Sequence, residues 1–301
     1  MIRQPLEEEW NMFGECHEHI FMDGTDYLAA VKTHKNGPCE PVIRAHLLEY
    51  QKRGVTYIRD GGDKYGASVL ARKLAGEYGI VYRTPVFGIY KLGQYGKIVG
   101  FGFSNMKEYY SLVREAIGQK ADFIKIMTTG LMDFDRHGQV TGTPLSLEEV
   151  REMVHIAHEE GMAVMSHTNG KQGALTAIEA GVDSLEHGNF LDEETVKALS
   201  QSHTIWVPTT VTVRNLLGNG RFPDDTLRPI WETAAENIRT AYSLKAKVAL
   251  GSDAGAYCVF HGQGIVDEYR TFQYILEDSE DVDLWLAAGE TAVRETFQTH
   301  G

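Results

Sequence analysis

The sequence predicts an α/β protein built as a (β/α)8 TIM barrel. Three observations carry that prediction. Short apolar runs alternate along the chain with longer amphipathic segments. The runs number eight, as a βα repeat that closes on itself requires. No early Gly-x-Gly-x-x-Gly turn opens the chain, which argues against an open, doubly wound sheet.

The eight strands are expected at 12–16 (MFGEC), 55–60 (VTYIRD), 81–87 (VYRTPVF), 122–127 (DFIKIM), 163–167 (AVMSH), 183–187 (DSLEH), 204–208 (TIWVP) and 248–252 (VALGS). Several are nearly continuous apolar stretches, as strands buried on both faces are. Helical patterns fill the intervals at 41–53, 66–78, 106–118, 147–160, 172–180, 192–201, 226–245 and 266–277, with a ninth at 283–298. Ser146 followed by Glu149 reads as a capping box opening one of them. Gly54, Gly79, Gly161 and Gly181 each fall just before a strand, where a helix-ending residue of positive φ belongs. No linker or low-complexity stretch divides the chain, so residues 1–301 are expected to form one domain.

Composition excludes several classes of function. The formal net charge is −13, leaving no basic footprint for a nucleic acid. No run of basic residues suits an anionic membrane, and no apolar stretch is long enough to cross one. The N-terminus is acidic and lacks an apolar core, so no signal peptide is expected in it. Cys16, Cys39 and Cys258 are too dispersed for a disulfide framework, so a reducing, cytoplasmic setting is expected. A small-molecule substrate is the expected partner, with self-association through helical faces left open. The 12 histidines are an excess, and their positions give it meaning.

His17 and His19 flank Glu18 at the end of the first strand. Residues i and i+2 of a strand share a face, so both imidazoles can chelate one divalent metal. His167 ends the fifth strand, His187 the sixth, and Asp253 follows the eighth. All five thus fall at the carboxyl ends of strands, where barrels build their sites. Lys125 lies within the apolar fourth strand. Burial and nearby positive charge would lower its pKa. A neutral amine can add carbon dioxide to give a carbamate that bridges two metals, or it can form a Schiff base. The surrounding histidines and aspartate favour the bridge.

This set resembles that of the amidohydrolase superfamily: His-x-His, a strand-four lysine, two further histidines and an aspartate. Segments 54–62 (GVTYIRDGG), 123–130 (FIKIMTTG) and 147–199 are similar to its imidazolonepropionase-like and Xaa-Pro-dipeptidase-like branch. Relatives in that branch carry a small β-sandwich beside the barrel, whereas this sequence starts almost at strand one, so a bare barrel is expected. They often carry His or Tyr where Asn169 stands here. The imidazolonepropionase type uses one metal and lacks the strand-four lysine, so Lys125 points to the two-metal type.

The resemblance implies two divalent metal ions, zinc being expected. His17, His19 and Asp253 would hold the more buried ion, and His167 and His187 the more exposed one. Carbamylated Lys125 would bridge them. A bridging hydroxide would attack the carbonyl of an amide in a dipeptide, N-acyl amino acid or cyclic amide. Asp253 would carry the proton to the leaving group. Tyr90, Arg214 and His261 are the expected substrate contacts, in rim loops that also carry Lys91, Tyr95, Asp133, Asp135, Arg136, His137 and Tyr257. Arg59 and Asp60 are expected to form a buried ion pair beneath the site. A mononuclear deaminase of a cyclic amidine and a non-catalytic metal-binding scaffold are the competing readings.

Overall fold

A computed structural model describes residues 13–134, 136, 138–277 and 281–298. Met12 of the first expected strand, with Asp135, His137 and His300, lies outside the described residues.

Nine strands are present among those residues: β1 (Glu15–Glu18), β2 (Tyr57–Asp60), β3 (Val81–Arg83), β4 (Gly88–Lys91), β5 (Gly100–Phe103), β6 (Ile124–Met127), β7 (Val164–Thr168), β8 (Ser184–His187) and β9 (Ile205–Val207). All pair in parallel, in the orders β1-β2-β3 and β5-β4-β6-β7-β8-β9. Helices supply the crossovers between the parallel strands, except from β4 to β5, which residues 92–99 join without one. The architecture is an α/β fold of the TIM-barrel-like kind. No helix of the described residues is long and apolar enough to cross a membrane.

Local signals survive intact where they are strongest. Ser146 and Glu149 form the reciprocal capping box on helix Leu147–Glu159. Gly54, Gly79, Gly161 and Gly181 all take positive φ, between 70° and 87°. The helix Met106–Gly118 has the bounds its periodicity predicts.

Four expectations need correction. The third strand is broken into β3 and β4. Pro85 offers no N–H, Val86 takes φ 69°, and Thr84 Oγ1 accepts the Val86 N–H at 3.0 Å. Tyr90 and Lys91 consequently lie in strand β4 and not in a loop. Strand β5 was not expected, because its sequence GFGF lacks β-branched residues. Its glycine is needed: a Cβ at Gly100 would stand 1.7 Å from the Gly88 carbonyl oxygen. The helix Tyr27–His34 was also unexpected. It buries only Ala30 and His34 and is set instead by Asp26, whose side chain accepts from Leu28 N and Ala29 N.

The eighth expected strand makes only isolated bridges, Trp206 with Val248 and Glu18 with Ala254. A side chain takes the place of the ladder there. Glu15 accepts the Ser252 N–H at 2.7 Å and its hydroxyl at 2.5 Å. Backbone bonds still tie the segment to both flanks: Ala249 N to Trp206 O at 3.0 Å, and Cys16 N to Leu250 O at 3.0 Å.

The main core lies between strands and helices. A second apolar cluster collects Cys16, Tyr57, Phe123, Met165, Ile205, Val207 and Ala249 from six different segments, with Val293 and Phe297 from the last helix, Val282–Thr296, and the residue after it. Arg59 lies on this cluster, its guanidinium 4.3 Å from the Phe297 ring centroid. It is wholly buried and is the floor of the site described next.

Candidate metal centre

Strands β1, β7 and β8 and the loop after residue 252 bring the predicted ligands together. The His17 and His187 rings lie 4.9 Å apart, His167 and His187 4.6 Å, and His17 and His19 5.5 Å. Asp253 Oδ1 stands 3.7 Å from His17 Nε2 and 3.6 Å from His19 Nε2. One ligand atom from each of His17, His19 and Asp253 fits within a 4.8 Å cluster, the compactness a single ion needs.

Each imidazole has one nitrogen engaged by the protein. His17 Nδ1 donates to Glu186 at 2.7 Å. His19 Nδ1 lies 3.4 Å from the Gly62 carbonyl. His167 Nε2 donates to the Gly130 carbonyl at 3.1 Å. His187 Nδ1 lies 2.8 Å from Thr209 Oγ1. Where the partner is a carboxylate or carbonyl, as for His17, His19 and His167, the opposite nitrogen is left as a lone pair, which is how metal-binding imidazoles are set up; the Thr209 hydroxyl can either accept from or donate to His187. His17 Nε2 is fully buried with no hydrogen-bond partner. So is Lys125 Nζ. Such orphaned polar atoms are costly to bury.

The electrostatics agree. Burial, aided by the Lys125 charge, pushes the His19 and His167 imidazoles down to about 3. Burial drives His17 and His187 well below the ordinary histidine value. All four are therefore neutral at pH 7, as ligands must be. Burial pulls Lys125 down to about 8 and pushes Asp253 up to about 7.

Beneath the ligands, Arg59 does not pair with Asp60 as expected. Its Nη2 donates to both Glu186 oxygens at 2.9 and 3.0 Å, and its Nε to the Cys16 carbonyl at 2.7 Å. Asp60 instead accepts from the Thr84 hydroxyl at 3.0 Å. The two strands diverge in pairing: β1 and β2 carry a register shift between Glu15 and Glu18, and strand β8 supplies the carboxylate. A chain of contacts thus runs from the apolar floor through Arg59 and Glu186 to His17.

Two backbones are held in left-handed conformations, His187 at φ 67° and Asp253 at φ 58°. Such residues cost about 1–3 kcal/mol each and persist where surroundings overdetermine them. Gly61 is a different constraint. A Cβ there would stand 2.3 Å from His19 Cε1.

The expected substrate contacts lie as follows. His261 is buried, stacked on His46 at 4.0 Å; its Nε2 donates to the Met22 carbonyl at 2.8 Å, and Tyr50 OH lies 3.2 Å from Nδ1. The Arg214 guanidinium lies 5.9 Å from the ring centroids of both Trp231 and Tyr274. Tyr90 is buried in the main core. Tyr95, from the loop after strand β4, does reach the ligands, its ring 4.8 Å from that of His167. Asn169 is buried; its Nδ2 donates to the Gly130 carbonyl at 3.2 Å, and its Oδ1 accepts from Asn189 Nδ2 at 2.9 Å. Sequence spacing carries no signal for Glu15 or Thr209, whose roles arise only from cross-strand placement.

Comparison with known proteins places this arrangement. Ochratoxinase from Aspergillus niger is 26% identical over a match covering 79% of this chain and 56% of that one. The chain therefore spans about half the length of the curated relatives it matches. Among solved structures, a Xaa-Pro dipeptidase with methionine bound in its active site superposes with a TM-score of 0.70 at 21% identity, covering 96% of this chain and 78% of that one. The A. niger ochratoxinase structure gives 0.72 at 20%, covering 95% and 71%. These likenesses establish the fold. The model of the Amidohydrolase family matches residues 15–282, and the chain belongs to that family.

Proposed function

We propose that this protein is a binuclear metal-dependent hydrolase of amide bonds, acting on a dipeptide, an N-acyl amino acid or a cyclic amide. The observation that carries the reading is the pair of buried, unpartnered atoms, His17 Nε2 and Lys125 Nζ, set among neutral imidazoles and Asp253. His17, His19 and Asp253 would hold one ion, and His167 and His187 the other. When bound, two zinc ions would supply a water ionised near neutral pH and a Lewis acid for the carbonyl.

The chain's own groups do the rest. Lys125, drawn down to about 8 by burial, offers its neutral amine to carbon dioxide. The N–C bond forms, a proton leaves the nitrogen, and a two-oxygen carbamate anion results in place of the neutral amine. Asp253, pushed up to about 7 by burial, can accept and release a proton near neutral pH. Its Oδ1 is within 3.7 Å of both first-strand imidazoles, and Asp253 would take the proton of the attacking water and give it to the leaving amine. Tyr95 walls one side of the mouth over His167. The backbone bonds of residues 247–254 to both strands β9 and β1 support a closed barrel as the scaffold.

Elemental analysis of the purified protein tests the reading, with hydrolysis of dipeptides and N-acyl amino acids as the activity. Two divalent ions per chain are expected. Lys125→Ala should lose at least one ion, and activity on the order of a thousandfold, the several kcal/mol such a centre supplies. A single ion per chain with Lys125→Ala fully active would overturn the binuclear reading and favour the mononuclear one.

A further inference from the structure

We propose that Glu268 is a positioning residue for the second metal, acting on His187 through the turn Thr209–Thr210. The inference rests on the binuclear reading above.

Glu268 lies on helix Gln263–Leu276, remote in sequence from every ligand motif, and is wholly buried. Its carboxylate accepts three hydrogen bonds from one turn. Oε1 takes the Thr210 N–H at 2.9 Å; Oε2 takes the Thr210 hydroxyl at 2.7 Å and the Val211 N–H at 2.9 Å. The residue just before this grip, Thr209, sits at φ 53°. That region is a genuine outlier for a β-branched residue, so the turn must be held from outside. The Thr212 hydroxyl supplies a second hold by donating to the Thr209 carbonyl at 2.8 Å.

Held this way, Thr209 presents its hydroxyl 2.8 Å from His187 Nδ1. The His187 carbonyl is taken by Trp206 Nε1 at 2.9 Å, which fixes the backbone that carries the ring. The Thr209 hydroxyl oxygen can accept the Nδ1 proton, and in that arrangement Nε2 is the lone pair for a metal. Only an acceptor on both oxygens suits the three donors of the turn. A glutamine in either orientation would set its NH2 group against a backbone N–H, of Thr210 or of Val211. His17 has its own carboxylate, Glu186, in direct contact, whereas His187 is supported at one remove.

The test reads His187 itself. In metal-free protein with 15N-labelled histidine, two-bond 1H–15N spectra show which ring nitrogen carries the proton. Wild type and Thr209→Ser should show a single Nδ1–H form. Thr209→Val and Glu268→Gln should show a mixture. Cobalt titration should then show the second equivalent weakened by about 10–100-fold in both, with the first unaffected. Should Glu268→Gln not fold, Thr210→Val removes one of the three donors and should move both readouts in the same direction by less. An unchanged His187 spectrum and unchanged second equivalent in Glu268→Gln overturn the proposal. Wild-type protein that binds only one equivalent breaks the binuclear reading, and the metal-free spectrum still decides whether Glu268 governs His187.

Discussion

His17 and His261 are both buried histidines on the same side of the sheet's carboxyl ends, yet their surroundings prepare them for opposite tasks. His17 gives Nδ1 to Glu186 and keeps Nε2 unpartnered. His261 has both nitrogens engaged, by Met22 and Tyr50, and its ring is stacked on His46. Burial lowers the pKa of both rings. A depressed pKa therefore does not separate a ligand from a core residue. The unspent nitrogen does so only in company: His34 Nε2 is also buried without a partner, but among the described residues only His17 joins it to a compact cluster of further ligand atoms.

The largest effect should come from breaking the support of His17. Glu186→Gln leaves the wholly buried Arg59 without its counter-ion. Destabilisation of about 3–5 kcal/mol is expected, with metal affinity reduced about 10–100-fold. Denaturant titration and metal titration read the two separately. If affinity is unchanged in the folded variant, Glu186 serves Arg59 alone.

A smaller effect is expected at the other ring. His261→Gln should cost about 1–3 kcal/mol through the groups it leaves unpaired, with metal content unchanged. A fall of kcat/KM by about a hundredfold at unchanged Tm would instead place His261 against the substrate.

The smallest effect sharpens the comparison from a third position. His158 is partly exposed and its Nε2 lies 2.8 Å from Asp183, an acceptor that raises its pKa. Its folded state therefore holds a proton that the unfolded state releases first. The pair stabilises fully below the unfolded value of 6.5 and loses that contribution as pH rises through the raised value. Solvent screening keeps it well under about 1 kcal/mol. The Tm difference between wild type and His158→Gln should be larger at pH 5.5 than at pH 8.5, and equal differences would refute the assignment.

The convergence of the candidate ligands was legible in the sequence because strand ends register it. His17, His19, His167, His187 and Asp253 each follow an apolar run, and the parallel pairing of those runs aligns their ends. The resemblance to the amidohydrolase superfamily rested on the same residues, and the family match bears it out. What was not legible depends on contacts between segments. Arg59 stands next to Asp60 in sequence but pairs with Glu186 across the interior, because neighbouring strand residues face opposite ways. The break at Pro85 and the side-chain bonding of Glu15 interrupt two strands whose apolar patterns are continuous. Strand β5 is hidden by its glycines, Gly100 fitting the Gly88 backbone and Gly102 the Leu92 side chain, so that only two phenylalanines carry β-propensity.

Gly61 bears on how this site can change. The ring of His19 occupies the space that any side chain at position 61 would need. In a library randomising the rim, this position would admit one residue type, and variants with even an alanine there would be lost together with the geometry of His19. Diversification toward new substrates is thereby channelled into the surrounding loops, while the residue that closes strand β2 stays outside the reach of selection for specificity.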